Sequence, residues 1–439
     1  MSFIEDLDKK VLVFDGSMGR MLHESGLGTG TCPEEWNLTH PEIVKSIYKG
    51  YMDAGADVIQ TNTFQAHAIK LDEYGLLDKH YEINFQAAKL AKEVAGGRCY
   101  VAASIGPLGK LLEPYGELTF DKAYNTFKEQ ILAVAEGGAD IISLETFTDI
   151  SELRIALLAA KENCSLPVIC SVSYEQSGRT LMGSEPGICA AILNSMGADL
   201  IGTNCSFGPE FMIKIAESYG KIGLPFSIKP NAGLPEIVEG KQHFKQTPEG
   251  FACFVPDFLN YGARLVGGCC GTTPEYIAKV AELLRTSDNV CSEYQPQKPD
   301  IDYITSVSQK IGFEELGTAL VGRIDASRDE GLKAALEAGD IGAVTDACMD
   351  LLDEEWDIIL IDIDSLEDKA ALLMEGVVKE AQTYLKQPFI IKSGDLKALD
   401  AGLRIYKGRG GFISKNLEVK NKLDKYGAVD CGGYLTNEN

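Results

Sequence analysis

FDKAYNTFKEQILAVAEGGADIISLETF, residues 120–147, holds the fold in one unit. Its first part places Ala123, Phe127, Ile131 and Val134 three and four apart, the spacing of one helix face. A Gly pair follows, suited to a helix C-terminus, where a left-handed residue ends the last turn. ADIISLETF (139–147) then turns nearly continuously apolar and closes on Glu145 and Thr146. A parallel strand covered on both faces has this character.

The unit recurs along the chain. Comparable runs are KVLVFDGSMG (10–19), ADVIQTNTF (56–64), CYVAASIGP (99–107), LPVICSVSY (166–174), ADLIGTNCS (198–206), GLPFSIKPN (223–231) and ARLVGGCCG (263–271), which with 139–147 make eight strands. Helical stretches such as HPEIVKSIYKGYMDAG (40–55) lie between them, and four strands are preceded by AGAD, GGAD, MGAD or YGAR. Eight strand–helix alternations predict an α/β fold, a (β/α)8 TIM barrel over residues 1–285. A doubly wound open sheet is the alternative. RTSDNVCSEYQPQKPDID (285–302) is polar and contains Pro, so 286–302 reads as a linker. A second, smaller α/β series occupies 303–439, with apparent strands TALVGRID (318–325), WDIILIDID (356–364), QPFIIKS (387–393) and GGFISKN (410–416). Four strands are about half of a barrel, so this half-barrel-like module is expected to be incomplete, with open edges and an uncovered interior. The end, GGYLTNEN, reads as frayed.

The whole chain has 439 residues, with 41 Lys plus Arg against 65 Asp plus Glu and a net charge of -24. That balance argues against nucleic acid or an anionic membrane as partner, because both need a basic face. No stretch approaches the roughly 18 apolar residues of a membrane span. The start, MSFIEDLDKKVLVFDG, lacks the order of a signal peptide, so a cytoplasmic protein is expected. Several of the twelve cysteines lie inside apolar runs, as in PVICSV around Cys170, and suit buried filling rather than disulfides.

In a barrel the active site lies where the strands end. The polar endings therefore read as one ring: Asp15, Asn62 with Thr63, Ser104, Glu145 with Thr146, Ser173, Asn204 with Cys205, Asn231, and Cys269 with Cys270. The vicinal pair is either two small buried residues or part of a metal site. Gly267, Gly268 and Gly271 remove bulk around it, and Cys205 ends another strand. Three thiolates from two strand ends suit Zn²⁺ with a fourth position open. A thiol in that position loses its proton at neutral pH. A hydrolytic site would favour His and a general base, yet the chain has only five His and none ends a strand. Asp15 and Glu145 either cap the following helices or attract a substrate ammonium. Asn62, Asn204 and Asn231 suit loop-holding bonds to backbone. GRTLMGSEP (178–186) reads as a loop.

Taken together, these endings resemble the homocysteine S-methyltransferase family, including the homocysteine-binding barrel of cobalamin-dependent methionine synthases. TNCS (203–206) and GGCCGTTP (267–274) look like the family's zinc motif. DGSMGRML (15–22) is similar to the family's opening, with Arg20 in place of the usual Thr. TNTF (61–64), SIGPLG (104–109), ETFTD (145–149), GRTLMG (178–183) and PNAG (230–233) match in order. The resemblance implies Zn²⁺ on Cys205, Cys269 and Cys270 as catalytic metal ligands, with homocysteine sulfur at the open position. It also implies substrate contacts from Asp15, Glu145, Asn62, Asn204 and Ser104, with the two carboxylates near the ammonium. The reaction implied is methyl transfer to homocysteine, giving methionine. Another thiol acceptor, or a non-catalytic zinc-bearing partner of a corrinoid system, are the rival readings.

The second series resembles the start of a pterin-binding domain, with departures at the positions that would touch a pterin. Gly322 stands for the usual Glu, Asp325 for Asn, Leu360 for Asp, Lys392 for Asp and Ile413 for Asn. Residues 303–439 are therefore not expected to bind folate. No D-x-H-x-x-G cobalamin signature is present. The methyl donor is expected to be a separate methyl-corrinoid protein or a small methyl donor. The incomplete module is expected to meet a second copy, as a homodimer, or the donor protein.

Overall fold

The computed structural model describes residues 2–233, 235–238, 241–244, 246–286, 298–416 and 420–435. It forms two compact units, Met1–Met182 with Ala198–Asp300 and Gly183–Gly197 with Ile301–Asn439.

The first unit carries eight parallel strands: β1 (Leu12–Val13), β2 (Val58–Gln60), β3 (Tyr100–Ile105), β4 (Ile141–Phe147), β5 (Val168–Val172), β6 (Leu200–Asn204), β7 (Phe226–Lys229) and β8 (Ala263–Val266). Each strand neighbours the next in sequence, and β8 pairs with β1. A bridge between Phe14 and Val58 closes the ring. Beside it, Asp57 N donates to Val13 O (2.8 Å) and Asp15 N donates to Val58 O (3.0 Å). This is the expected (β/α)8 barrel. The sequential neighbour order excludes the doubly wound alternative, whose sheet reverses at a switch point.

The helix-to-strand corner is built the same way several times. Gly55, Gly138, Gly197 and Gly262 all take positive φ, from 85° to 103°, where a Cβ is disfavoured. After the first three, the Asp two residues on closes the corner. The Asp57, Asp140 and Asp199 carboxylates accept the backbone N–H of Val13, Val101 and Val168 at 2.8–2.9 Å. Their own amides donate back to the same three residues at 2.8–2.9 Å.

The helix Phe3–Lys9 plugs the N-terminal end of the barrel. Ser2 and Glu5 form a capping box at its start. Phe3 and Leu7 pack with Leu12, Phe14, Val58, Ala102, Ile141, Ile169, Leu200 and Leu265, at least one residue from each of seven strands. An antiparallel ribbon, Pro235–Val238 with Lys241–Phe244, lies between β7 and β8 and has no counterpart in the sequence reading.

In the second unit the parallel strands are β9 (Val321–Asp325), β10 (Ile358–Asp362), β11 (Phe389–Lys392), β12 (Gly411–Ile413) and β13 (Val429–Asp430), again neighbouring in sequence order. Four were expected; β13 is a two-residue strand, too short to show an apolar period. The interior is also not uncovered. An antiparallel ribbon, Tyr303–Thr305 with Lys310–Gly312, supplies Ile304 and Ile311, which with Leu316 pack against Ile358, Leu360, Ile390 and Cys431. Alternation puts those strand residues on one face, and the ribbon fills it. The helix Pro186–Ser195 groups with this unit, where Tyr303 Oη donates to Gly187 O (2.9 Å) and Ser184 Oγ to Val307 O (2.6 Å). The expected linker falls largely on 287–297 and the frayed end on 436–439, both outside the described residues.

Candidate metal centre and its cavity

β6 ends on Asn204 and hands the chain to Cys205, which sits in the left-handed region at φ +52°. β8 ends at Val266, and GGCCG follows. Between them runs β7, which fixes both neighbours: Cys205 N donates to Lys229 O (3.3 Å) and Cys269 N to Pro230 O (2.8 Å). Cys270 N donates to Asn231 Oδ1 (3.0 Å), so Asn231 holds this loop as expected. Glycine is required here by close approach. A Cβ on Gly268 would stand 2.3 Å from Thr272 Oγ1, and one on Gly271, at φ +80°, 2.5 Å from the Phe244 ring.

The three sulfurs that result lie within 4.8 Å of one another, with Cys205 Sγ 3.4 Å from Cys270 Sγ. Thiolates about 2.3 Å from a tetrahedral ion stand roughly 3.8 Å apart, so the cluster could hold a metal of zinc's preference. The proton balance agrees. Hydrogen bonds from Cys205 and Cys269 push the Cys270 thiol down to about 3. Cys269, which accepts from Cys205 and donates to Cys270, ends up raised to about 12, and Cys205 is driven well above the thiol range. Left alone, the three thiols compete, since the hydrogen bonds that favour ionisation at one oppose it at another. A divalent cation is what allows all three to ionise together.

Around the cluster lies a cavity of about 490 Å³. Cys205, Cys269, Cys270, Glu145, Ser104 and Asn62 all line it. Glu145 is buried, accepts Ser104 Oγ and pairs with Lys229 Nζ. Lys229 is itself buried, its ammonium 4.0 Å from the Phe14 ring centroid. Asn62 donates through Nδ2 to Pro33 O (2.8 Å) and Asn37 Oδ1 (3.1 Å), which ties the helical segment at 33–37 to the end of β2. Asn204 does not line the cavity. Its Oδ1 accepts Thr146 N and its Nδ2 donates to Thr146 Oγ1, both at 2.8 Å, and Nδ2 lies 3.6 Å from Cys269 Sγ. Thr146 is at φ +68°, so Asn204 holds a strained residue of the mouth in place. Asp15 is buried outside the lining. Gln60 N donates to its Oδ2 (2.8 Å), while Oδ1 has no hydrogen-bond partner among the described residues. Burial pushes its carboxyl well up.

The structure thus brings the predicted thiols, Glu145, Ser104 and Asn62 to one cavity and sets Asp15 and Asn204 behind it. Lys229 escaped the sequence reading, although a lysine inside an apolar strand run is a signal that a buried partner exists. Glu34 escaped it too. It lines the cavity, buried, accepting Gln65 N (3.0 Å) and the Cys32 thiol (3.3 Å). Burial raises its carboxyl, and nothing in CPEEWN distinguishes it from a surface acid.

A strand-end trithiol on a closed eight-stranded barrel defines a class that comparison with known proteins then specifies. Residues 12–284 match the model of the homocysteine S-methyltransferase family, and the chain belongs to that family. Among curated proteins it is similar to the methionine synthases of Mycobacterium leprae and Mycobacterium tuberculosis, each 29% identical over 94% of this chain. The chain spans about 36% of the length of each. Among solved structures, the homocysteine methyltransferase MmuM from Escherichia coli, in its metallated form, matches 64% of this chain and 98% of its own, at TM-score 0.55 and 22% identity. The likeness supports the barrel fold.

Proposed function

We propose that this protein transfers a methyl group to the thiol of homocysteine, giving methionine, with Zn²⁺ held by Cys205, Cys269 and Cys270. The converging sulfurs within 4.8 Å carry this reading, together with membership of the family. When bound, the ion lowers the pKa of a substrate thiol and makes it a nucleophile at neutral pH. The chain's own residues supply the rest. Asn204 and the β7 carbonyls fix the sulfur positions. The cavity admits an amino acid and restricts it, so that a fixed thiolate meets a donor methyl in line. Glu145 presents its carboxylate to the substrate ammonium, while Asp15 shapes the site from behind it. Ser104 orients Glu145, and Asn62 the helical segment at 33–37.

The two-domain division, a catalytic barrel through about residue 285 followed by the module at 303–439, belongs to the same proposal. So do a cytoplasmic location and a separate methyl donor, either a methyl-corrinoid protein or a small molecule. No helix among the described residues is long and apolar enough to cross a membrane. Among the described residues β9 pairs with β10 alone, and its outer edge is the place where a second copy or a donor protein would add. Light scattering and pull-down test that contact, and a monomer that recovers no partner would count against it.

Substituting Cys269→Ala should remove both stoichiometric zinc and methyl transfer. A donor screen completes the test: methyl-corrinoid protein, methylcobalamin, S-methylmethionine, S-adenosylmethionine and betaine, each with homocysteine. Zinc and activity both surviving in the Cys269→Ala protein would overturn the assignment. Failure of every donor to yield methionine would favour a non-catalytic role.

A further inference from the structure

We propose that Lys229 is a positioning residue for the amino acid substrate, acting through Glu145. The inference rests on the homocysteine reading above and adds a residue to it.

Two donors hold the Glu145 carboxylate, from two strands. Ser104 Oγ at the end of β3 takes Oε1, and Lys229 Nζ at the end of β7 takes Oε2. The side chains of Lys229 and Glu145 are 3% and 5% exposed, so solvent offers neither an alternative partner. The far side of the ammonium rests on the Phe14 ring. Lys229 therefore has one geometry, and so does the carboxylate it holds.

The contrast with Asp15 shows what the lysine adds. Asp15 is as deeply buried and feels the charge of the same Lys229, yet it has no hydrogen bond from it: it takes a single backbone donor, and its Oδ1 has no hydrogen-bond partner among the described residues. A buried carboxyl in that setting favours its neutral form. Glu145 instead has a side-chain donor on each of its oxygens. Glu145 lines the cavity with the three thiols, whereas Lys229 does not. A substrate thus meets a carboxylate whose direction Lys229 maintains. Its sulfur meets the trithiol, and the span between the two sets the length of amino acid that fits. Lys229 also anchors the other end of that span, since its carbonyl accepts Cys205 N.

Calorimetry on the zinc-loaded full chain tests this with L-homocysteine and the one-carbon-shorter L-cysteine. Wild type, Lys229→Met, Glu145→Gln and the double variant are compared, with zinc content measured on each. Lys229→Met should retain zinc and lose at least ~10-fold in homocysteine affinity. It should also lose part of the preference for homocysteine over cysteine, which a general structural defect would leave alone. In the Glu145→Gln background the same change should cost less than ~3-fold, because the residue it acts through is already neutral. Should Lys229→Met fail to fold, the comparison of the double variant with Glu145→Gln still decides, since the proposal requires the two to bind alike. Wild-type affinity in Lys229→Met, an equal loss in both backgrounds, or loss of zinc would overturn the role of Lys229. A wild type that takes up zinc and does not bind homocysteine would instead overturn the functional reading beneath it.

Discussion

Single side chains in this barrel are set by how burial is compensated. Glu152 is a case away from the metal centre. It is buried in the helix Ile150–Asn163 and accepts Leu108 N at 2.7 Å. Burial pushes its carboxyl up from 4.5 to about 8, against the lowering effect of that backbone bond. A carboxyl raised on folding stabilises the native state fully below its unfolded value and loses that contribution as pH rises. The loss should run from about pH 4.5 to about pH 8. Over that window it amounts to something on the order of 5 kcal/mol. Glu152→Gln keeps the acceptor and removes the titration. Thermal melts should show the variant matching wild type near pH 5 and exceeding it clearly above pH 8. A wild-type melting temperature that does not fall relative to the variant between those values would refute the account. At this scale the sequence showed the thiols and the polar strand endings, because cysteines flanked by glycine at strand ends are chemically unusual. It hid Lys229, Glu34 and the burial of Glu152, because an acid or a lysine looks the same in sequence whether it faces water or a partner distant in the chain.

Elements are joined by one corner used repeatedly. A glycine ends the helix with positive φ, and an Asp then clamps the neighbouring strand by accepting an N–H and donating its own. The second unit repeats the clamp, with Asp357 accepting Leu320 N (2.8 Å) and donating to Leu320 O (2.9 Å). The GAD repeat was visible in sequence as punctuation; its clamp needs a residue from the neighbouring strand, which sequence spacing does not supply. Asp140 tests the clamp. Its Oδ2 accepts Val101 N (2.9 Å), and its Oδ1 meets Lys92 at the half-exposed surface. If the amide bond matters and the surface ion pair does not, Asp140→Ala should cost about 1–2 kcal/mol. Asp140→Asn, which keeps an acceptor, should cost about 0.5 kcal/mol or less. Equal losses in denaturant titrations of the two variants would assign the stability to the charge instead. Strands β1 to β12 follow from apolar runs with turn residues at their ends. β13 and the two ribbons did not, since two to four residues on a sheet edge need no sustained pattern.

Across the whole molecule, the acidic excess is uneven. Residues 300–439 hold 27 acidic and 16 basic residues, 11 of the net 24 negative charges. The ends of the second unit's strands show how some of these acids are used. Asp325 accepts Ser327 N (2.9 Å) and Oγ (2.6 Å) and meets Arg328 at 3.3 Å. Asp362 pairs with Lys392 at 3.3 Å, and Asp364 accepts Gly394 N at 2.7 Å. These carboxylates already have internal partners. Of the five positions at which the pterin-binding resemblance departs, Asp325 and Lys392 sit in these ion pairs, and Leu360 and Gly322 are taken up by packing. Leu360 is buried in the core beneath the ribbon. A Cβ on Gly322 would stand 2.8 Å from Ile359 and 2.9 Å from Trp356, so a glutamate there would require the strand and the tryptophan to move. A pterin needs buried donors and acceptors, and an apolar side chain in their place leaves the ligand's own polar edge unpaired. Calorimetry of the full chain with methyltetrahydrofolate should therefore register no binding up to roughly 100 µM. Restoring Leu360→Asp alone should not rescue it, because the new carboxylate would be buried among Ile304, Ile311 and Ile358 rather than facing a ligand. Micromolar binding by wild type would show that the packing rearranges on contact and that the second unit is a working folate site.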